Sequence, residues 1–150
     1  MKNLFDPAAA EHIKQRLAHL KPDSPRQWGS MNPAQAMAHC AAGLQLAAGE
    51  LKPPRALIGY AIGWAIKPLA LGNDDPIRRN APTVKGLVIH DDRNLDKERQ
   101  LLARSIDRFV AAGPAGCTTH PHSFFGRLKP DEWATLMYKH LDHHLRQFGA

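Results

Sequence analysis

His140 and His144, near the end of the sequence, are four residues apart. On a helix that spacing stacks two side chains on one face. Around them Trp133, Leu136, Met137, Leu141 and Phe148 recur at helical spacing, so the pair lies within an apolar stripe. A buried imidazole is costly unless its ring nitrogens find partners. Two imidazoles one turn apart and facing a bundle interior suit a metal held between helices. A third ligand then has to come from elsewhere in the chain. His39, midway along an alanine-rich stretch with Met37 and Leu44, is the candidate. One histidine from one helix and two from another leave a divalent ion with an open position, the arrangement of catalytic zinc. Spacing leaves the competing readings standing. HxxxH occurs by chance on amphipathic helices, and a lone histidine among apolar neighbours is often a satisfied core residue. His143 offers a second register, although it is rotated by about 100° from His144.

The remaining histidines divide into two groups. His120 and His122 lie in the connector CTTHPHSFFGRLK and could form the rim of a site or touch a substrate, as could His143. His12, His19 and His90 read as surface residues. Other chemistries lack their residues. There is no GxGxxG, P-loop or GxSxG motif. Leu141 follows His140, so the HExxH general base is missing, and no ExxH pairs of the di-iron type occur. Cys40 adjoins His39, but neighbouring side chains on a helix diverge, which argues against a Cys–His catalytic pair.

The elements that must position these residues are helical. Asp6-Pro7 opens a helix to about His19, with Ile13, Leu17 and Leu20 as its apolar face. Asn32-Pro33 opens a second to Ala48, with Met37, Cys40, Ala41, Leu44 and Ala48 as its core face. The apolar run 56–71 reads as a shorter helix ending near Pro68, buried or semi-buried. About 69–93 is irregular, with Val84 to His90 as the one extended-looking piece. Asn94 caps a helix from Leu95 to Ala112, with Leu101, Leu102, Ser105, Ile106 and Phe109 inward and Glu98 and Arg99 outward. Pro130 opens the last helix, to Phe148. The expected fold is therefore all-α: a single domain over residues 1–150, built as a four-helix bundle with long crossover connections and an extra short apolar helix.

Composition fits one ordinary globular unit, with 43% hydrophobic and 23% charged residues in a chain of 150. The net charge of +6 is dispersed, with Arg78, Arg79 and Lys85 as its densest group. No nucleic-acid partner is expected, and a basic interaction module is the reading set against that. Two cysteines make no disulfide scaffold, and the N-terminus has no signal-like apolar segment, so a cytoplasmic protein is expected. The apolar run is too short to span a bilayer and holds Lys67 and Pro68. Peripheral membrane contact is a minor alternative, and the same run offers a face for a homodimer.

Three segments together resemble the DinB/YfiT-like superfamily of metal-binding four-helix bundles, and most closely an uncharacterised bacterial branch of it. They are WGSMNPAQAMAHC at 28–40, RNAPTV at 79–84, and HPHSFFGRLKPDEWATLMYKHLDHHLRQF at 120–148. The resemblance implies that His39, His140 and His144 are the metal ligands, that the ion is divalent, zinc or nickel, and that water fills its open position. Better-known relatives use such a metal to activate a low-molecular-weight thiol for transfer or isomerisation, and the resemblance fixes no substrate. Three histidines around an ion with an open position suit a metalloenzyme that activates water or such a thiol, thiol transferase-like or hydrolase-like, on a small molecule. The alternative is a non-catalytic small-ligand-binding or stress-associated metal-binding protein. One departure is Lys129 before Pro130, where the pattern more usually has Ser or Thr. It touches a helix cap and not the ligands.

Overall fold

The computed structural model describes the backbone of all 150 residues and every side chain but that of Lys85. Five α-helices and no strands are present among the described residues: α1 Pro7–Ala18, α2 Pro33–Ala47, α3 Leu57–Leu71, α4 Leu95–Ala112 and α5 Pro130–Gln147. Local chemistry sets their starts. Asp6, Asn32 and Asn94 each accept a backbone N–H of the first turn, and proline opens α1, α2 and α5. At α5 the Glu132 side chain reaches back to accept the Lys129 N–H at 2.7 Å, which serves the end that Lys129 cannot cap. Gly113, at φ 58°, ends α4 in a conformation that glycine adopts without strain.

α1, α2, α4 and α5 form a helical bundle. α1 packs on α4 and α5, and α2 packs on the same two, so α1 faces α2 across the diagonal. Contacts give the directions. Leu4 N–H donates to the Ala134 carbonyl near the starts of α1 and α5, and Arg16 meets Asp142 further along, so these helices run parallel. Phe5 stacks on Phe109, and Arg99 reaches the Leu20 carbonyl, so α1 and α4 are antiparallel. α2 and α4 are parallel neighbours. The chain leaving α2 must therefore travel back along the bundle before α4 can begin. Residues 48–94, which include α3, make that return. This is the long crossover expected from the prolines and glycines of the segment.

The core is continuous through Leu4, Ile13, Met37, Leu102, Ile106, Trp133 and Leu145, each at 1% exposure or less except Leu145 at 2%. α5 is the central element: thirteen of its eighteen residues are buried, well beyond the single stripe that its apolar residues suggest. Polar groups on its other faces are satisfied by neighbours. Asp142 is gripped by Arg16 and Arg146, each at 2.7 Å. Lys139 donates to the Ala70 carbonyl at 2.6 Å and to Asn73 Oδ1 at 3.2 Å.

Several expectations are corrected. α3 is not buried or semi-buried. Only Gly59, Gly63 and Leu71 are buried, while Leu57, Ile58, Tyr60, Trp64 and Leu69 are exposed. An all-apolar helix gives no periodicity from which to read an outward face. α3 also continues past Pro68 to Leu71, since Pro68 and Trp64 are both exposed and the missing N–H bond lies at the surface. Glu98 is buried at 5% instead of outward-facing, because Arg93 pairs with it at 3.3 Å. Leu101 and Ala48 are exposed, and Ala47 takes the inward place. Val84 to His90 forms no strand; 85–87 is a short 3-10 turn. Within the basic group, the Arg79 guanidinium lies over the Trp28 ring at 4.6 Å, and the Lys85 side chain lies outside the described residues.

Candidate metal centre

α2 and α5 pack antiparallel, and their shared face brings three imidazoles together. The rings of His39, His140 and His144 lie with their centroids 4.9 Å apart in each pair. One ring nitrogen of each lies within 4.8 Å of those of the other two, so the three histidines could hold a metal ion. His39 and His144 are buried, and His140 retains part of its surface. The sequence candidates are thus brought together, across a separation of 101 residues between His39 and His140.

Backbone packing makes room for the cluster. Gly43 lies one turn after His39. A Cβ there would stand 3.0 Å from His140 Nδ1 and 3.1 Å from its Cε1, tighter than ordinary contact. Glycine at this point leaves room for the Nδ1–Cε1 edge of the His140 ring against α2.

The hydrogen bonds behind the rings determine which nitrogens face inward. His39 Nδ1 lies 2.8 Å from the Leu87 carbonyl, which can only accept, so Nδ1 carries the proton and Nε2 presents a lone pair. His144 Nδ1 lies 2.8 Å from Gln147 Oε1. The orientation of that amide is fixed in turn, because Gln147 Nε2 donates to the Trp28 carbonyl at 2.7 Å. His144 therefore also protonates Nδ1 and turns an unprotonated Nε2 to the centre. For His39 and His144 this is the outer support typical of metal-binding histidines, a far N–H donated to a carbonyl or amide oxygen.

Electrostatics keep the rings neutral. Burial lowers the pKa of His39 below the usual imidazole range, against the opposing bond to Leu87. Burial, then the neighbouring imidazoles, takes His140 well below it. Burial, then His39, brings His144 down to about 3, against the opposing bond to Gln147. Neutral imidazoles have no proton to lose before binding a cation. Cys40, adjacent to His39, is 1% exposed with its thiol pushed up by burial. It is a packing residue, not a nucleophile.

The other histidines take supporting or separate places. His143 is buried at 9%, accepts from Trp28 Nε1 at 3.3 Å through its Nε2, and has its Nδ1 3.2 Å from the Ile77 carbonyl. Its ring borders that of His144, with centroids 5.1 Å apart, but both nitrogens are engaged elsewhere. His122 stacks on Phe125 and meets Trp133 edge-on. Its Nδ1 accepts the Phe124 and Phe125 N–H groups at 3.1 and 3.2 Å. His120 is partly buried in the same connector, and its N–H donates to Thr118 Oγ1. It is not among the rings that pack around the three. Gly43, Leu87, Trp28 and Gln147 are the participants that sequence reasoning missed. Gln147, three residues beyond His144 on the same helix, was within reach of the i,i+3 rule. The other three depend on tertiary contacts.

Residues 4–150 match the family model described as "Protein of unknown function (DUF1569)". The chain belongs to the DUF1569 family. No curated protein and no solved structure matches it. The two clefts described, of about 170 and 290 Å³, lie between α2 and α4, and none of the three histidines lines them.

Proposed function

We propose that this one-domain chain, residues 1–150, is a metal-dependent enzyme of the DinB/YfiT-like type, in which His39, His140 and His144 bind a divalent ion, zinc or nickel. The observation that carries this reading is the tautomer arrangement. His39 and His144 both donate from Nδ1 to fixed oxygen acceptors, and both turn an unprotonated Nε2 toward His140. A single Nε2–H on His140 can satisfy only one of these lone pairs, whereas a cation engages all three nitrogens. The three neutral nitrogens match the donor set that zinc and nickel prefer. With three protein ligands, the ion when bound is a Lewis acid that lowers the pKa of a water or a low-molecular-weight thiol placed beside it.

The chain's own residues have distinct parts in this. His39 and His144 are held rigid from behind by Leu87 and Gln147. His140, the ligand with remaining surface, marks the side from which a small substrate would approach. His143, bordering His144, and His122 in the connector are proposed as the rim, with His120 a more distant candidate. Thiol transfer and hydrolysis are both open to such a site.

The test is metal titration of tag-free protein with zinc and with nickel, read by calorimetry and native mass spectrometry. About one ion per chain is expected, with loss of at least about a hundredfold in affinity for His144→Ala. Less than about 0.1 ion per chain after loading would sink the metal reading. Turnover of a thiol plus an electrophile, or of an ester, that disappears in His144→Ala supports the enzyme. Stoichiometric metal without turnover of either class assigns a non-catalytic metal-binding protein.

A further inference from the structure

α3 presents an apolar surface that the bundle does not cover. Its inner edge is Gly59 and Gly63, which lie so close against the Phe124 carbonyl that a Cβ at either would clash with that oxygen. The glycines thus fix α3 to the 122–126 connector by backbone approach, and most of its large side chains turn away, Leu71 being the buried exception. Leu57 is 89% exposed, Trp64 76%, Leu69 71%, Tyr60 60% and Ile58 59%. Ala61 and Ala65 continue the same surface. Exposed apolar residues are ordinary when scattered, but a contiguous helix-long patch marks an interaction surface.

Charge around the patch indicates what covers it. Residues 51–73 contain Lys52, Arg55 and Lys67, and 108–130 contain Arg108, Arg127 and Lys129. Neither segment contains an acid, and the nearest ones, Glu50, Asp74, Asp75, Asp131 and Glu132, lie just beyond their ends, where Glu50 pairs with Arg108 and Glu132 with Lys67. Arg55 lies over the Tyr60 ring at 3.8 Å, with its guanidinium at the margin of the apolar face. Lys67 donates to the Arg127 carbonyl at 2.9 Å and pairs with Glu132 at 2.8 Å, which places α3 beside a connector carrying exposed Arg127 and Lys129. The Trp64 indole N–H is already engaged, 3.2 Å from the Ala61 carbonyl. A two-fold pairing of α3 with its copy would set these cationic margins against each other without an acid from either segment. An anionic surface meets them with opposite charge.

We propose that the outer face of α3 docks on an anionic lipid surface, with Leu57, Ile58, Tyr60, Trp64 and Leu69 in the headgroup–acyl boundary and Lys52, Arg55, Arg127 and Lys129 at the phosphates. The helix lies in the plane of the interface. It does not span, since no described helix is long and apolar enough to cross a membrane. Trp and Tyr on the inserted side suit the interfacial region, where an apolar ring and a polar edge are both accommodated.

The experiment is co-sedimentation of the full chain with vesicles of equal parts phosphatidylglycerol and phosphatidylcholine, and with phosphatidylcholine alone. Binding to the anionic vesicles is expected at least about tenfold tighter, and weaker in high salt. Lys52→Glu should weaken it about fivefold or more. Leu57→Ser with Trp64→Ser, at two exposed positions, should weaken it at least about tenfold with unchanged helicity. If that variant loses helicity, quenching of the wild-type tryptophan emission by brominated lipid reports insertion without a substitution. Absence of binding at low salt, or equal binding to both vesicles, overturns the proposal. So does a dimer in sedimentation velocity that the double substitution dissociates while vesicles are not bound, which assigns the face to a second copy.

Discussion

His39 Nε2 and His140 Nε2 stand 3.0 Å apart across the α2–α5 interface. Two imidazole nitrogens at that distance share one proton or one cation. The Leu87 carbonyl takes the proton of His39 Nδ1, so His39 can only accept at Nε2. Without a metal, His140 must donate from Nε2. Binding an ion then requires His140 to give up that tautomer and shift its proton to Nδ1, the nitrogen facing Gly43. The proposed ligand that retains surface is thus also the one that would have to rearrange, while His39 and His144 are set beforehand.

That division makes Gln147 a positioning residue for the proposed ion. Gln147→Leu removes the acceptor for His144 Nδ1 and the donor to the Trp28 carbonyl together. Loss of such an outer partner costs about 10–100-fold in metal affinity. The expected outcome is a drop of that size in a chelator-competition titration with the far-ultraviolet spectrum unchanged. Wild-type affinity in this variant would mean that His144 is oriented by packing alone.

Gly43 separates stability from binding. Alanine is the better helix former by about 1 kcal/mol, so Gly43→Ala favours α2 by propensity. The new Cβ would meet the His140 ring at 3.0–3.1 Å and push it off the α2 surface. We expect metal affinity to fall at least about tenfold while the urea midpoint changes little. Unchanged affinity would show that the ring yields without leaving the cluster.

Much of this was legible in the sequence, and the exceptions have physical causes. The caps at Asp6, Asn32 and Asn94 and the prolines that follow two of them are local signals, and they placed helix starts at the observed residues. The three histidines were legible because helical spacing on α5 and burial on α2 are sequence-scale properties. Glu98 was misplaced because a charged residue reads as outward until its partner, Arg93, is known. α3 was misplaced because an apolar run reports only that water is avoided, not whether protein, lipid or a second chain provides the cover. Leu87 and Trp28 act through backbone carbonyls, which carry no residue-type signature.

His122 makes acid sensitivity testable at a group other than the three proposed ligands. Its Nδ1 accepts two backbone N–H groups, and burial depresses its pKa to about 4. In the unfolded chain it titrates near about 6.5, so as pH falls the unfolded state binds the proton first. The stability tied to this group is complete above that value and is lost as pH falls toward about 4, amounting to about 2 kcal/mol at pH of about 5. His122→Asn retains an acceptor and does not titrate. Urea unfolding at about pH 7.5 and about pH 5 should show a smaller difference in the variant than in wild type. An equal difference would place the acid-sensitive groups elsewhere.

Asp142 ties the first helix to the last. It is 7% exposed and accepts from Arg16 on α1 and from Arg146 on its own helix. Arg16 also donates to the Ala150 carbonyl at 2.9 Å, so one guanidinium secures both the middle and the end of the C-terminal segment. Asp142→Ala leaves Arg16, whose side chain is 17% exposed, without its carboxylate. Removing one partner of a mostly buried pair costs more than the pair contributes net, because the remaining charge is still desolvated. A loss of about 2–3 kcal/mol in urea unfolding is expected. The loss should be roughly halved by Asp142→Asn, which still accepts one hydrogen bond. The metal stoichiometry should be unchanged, since Asp142 contacts α1 and not the histidine cluster. A change below about 0.5 kcal/mol would mean that solvent screens the pair as at an open surface.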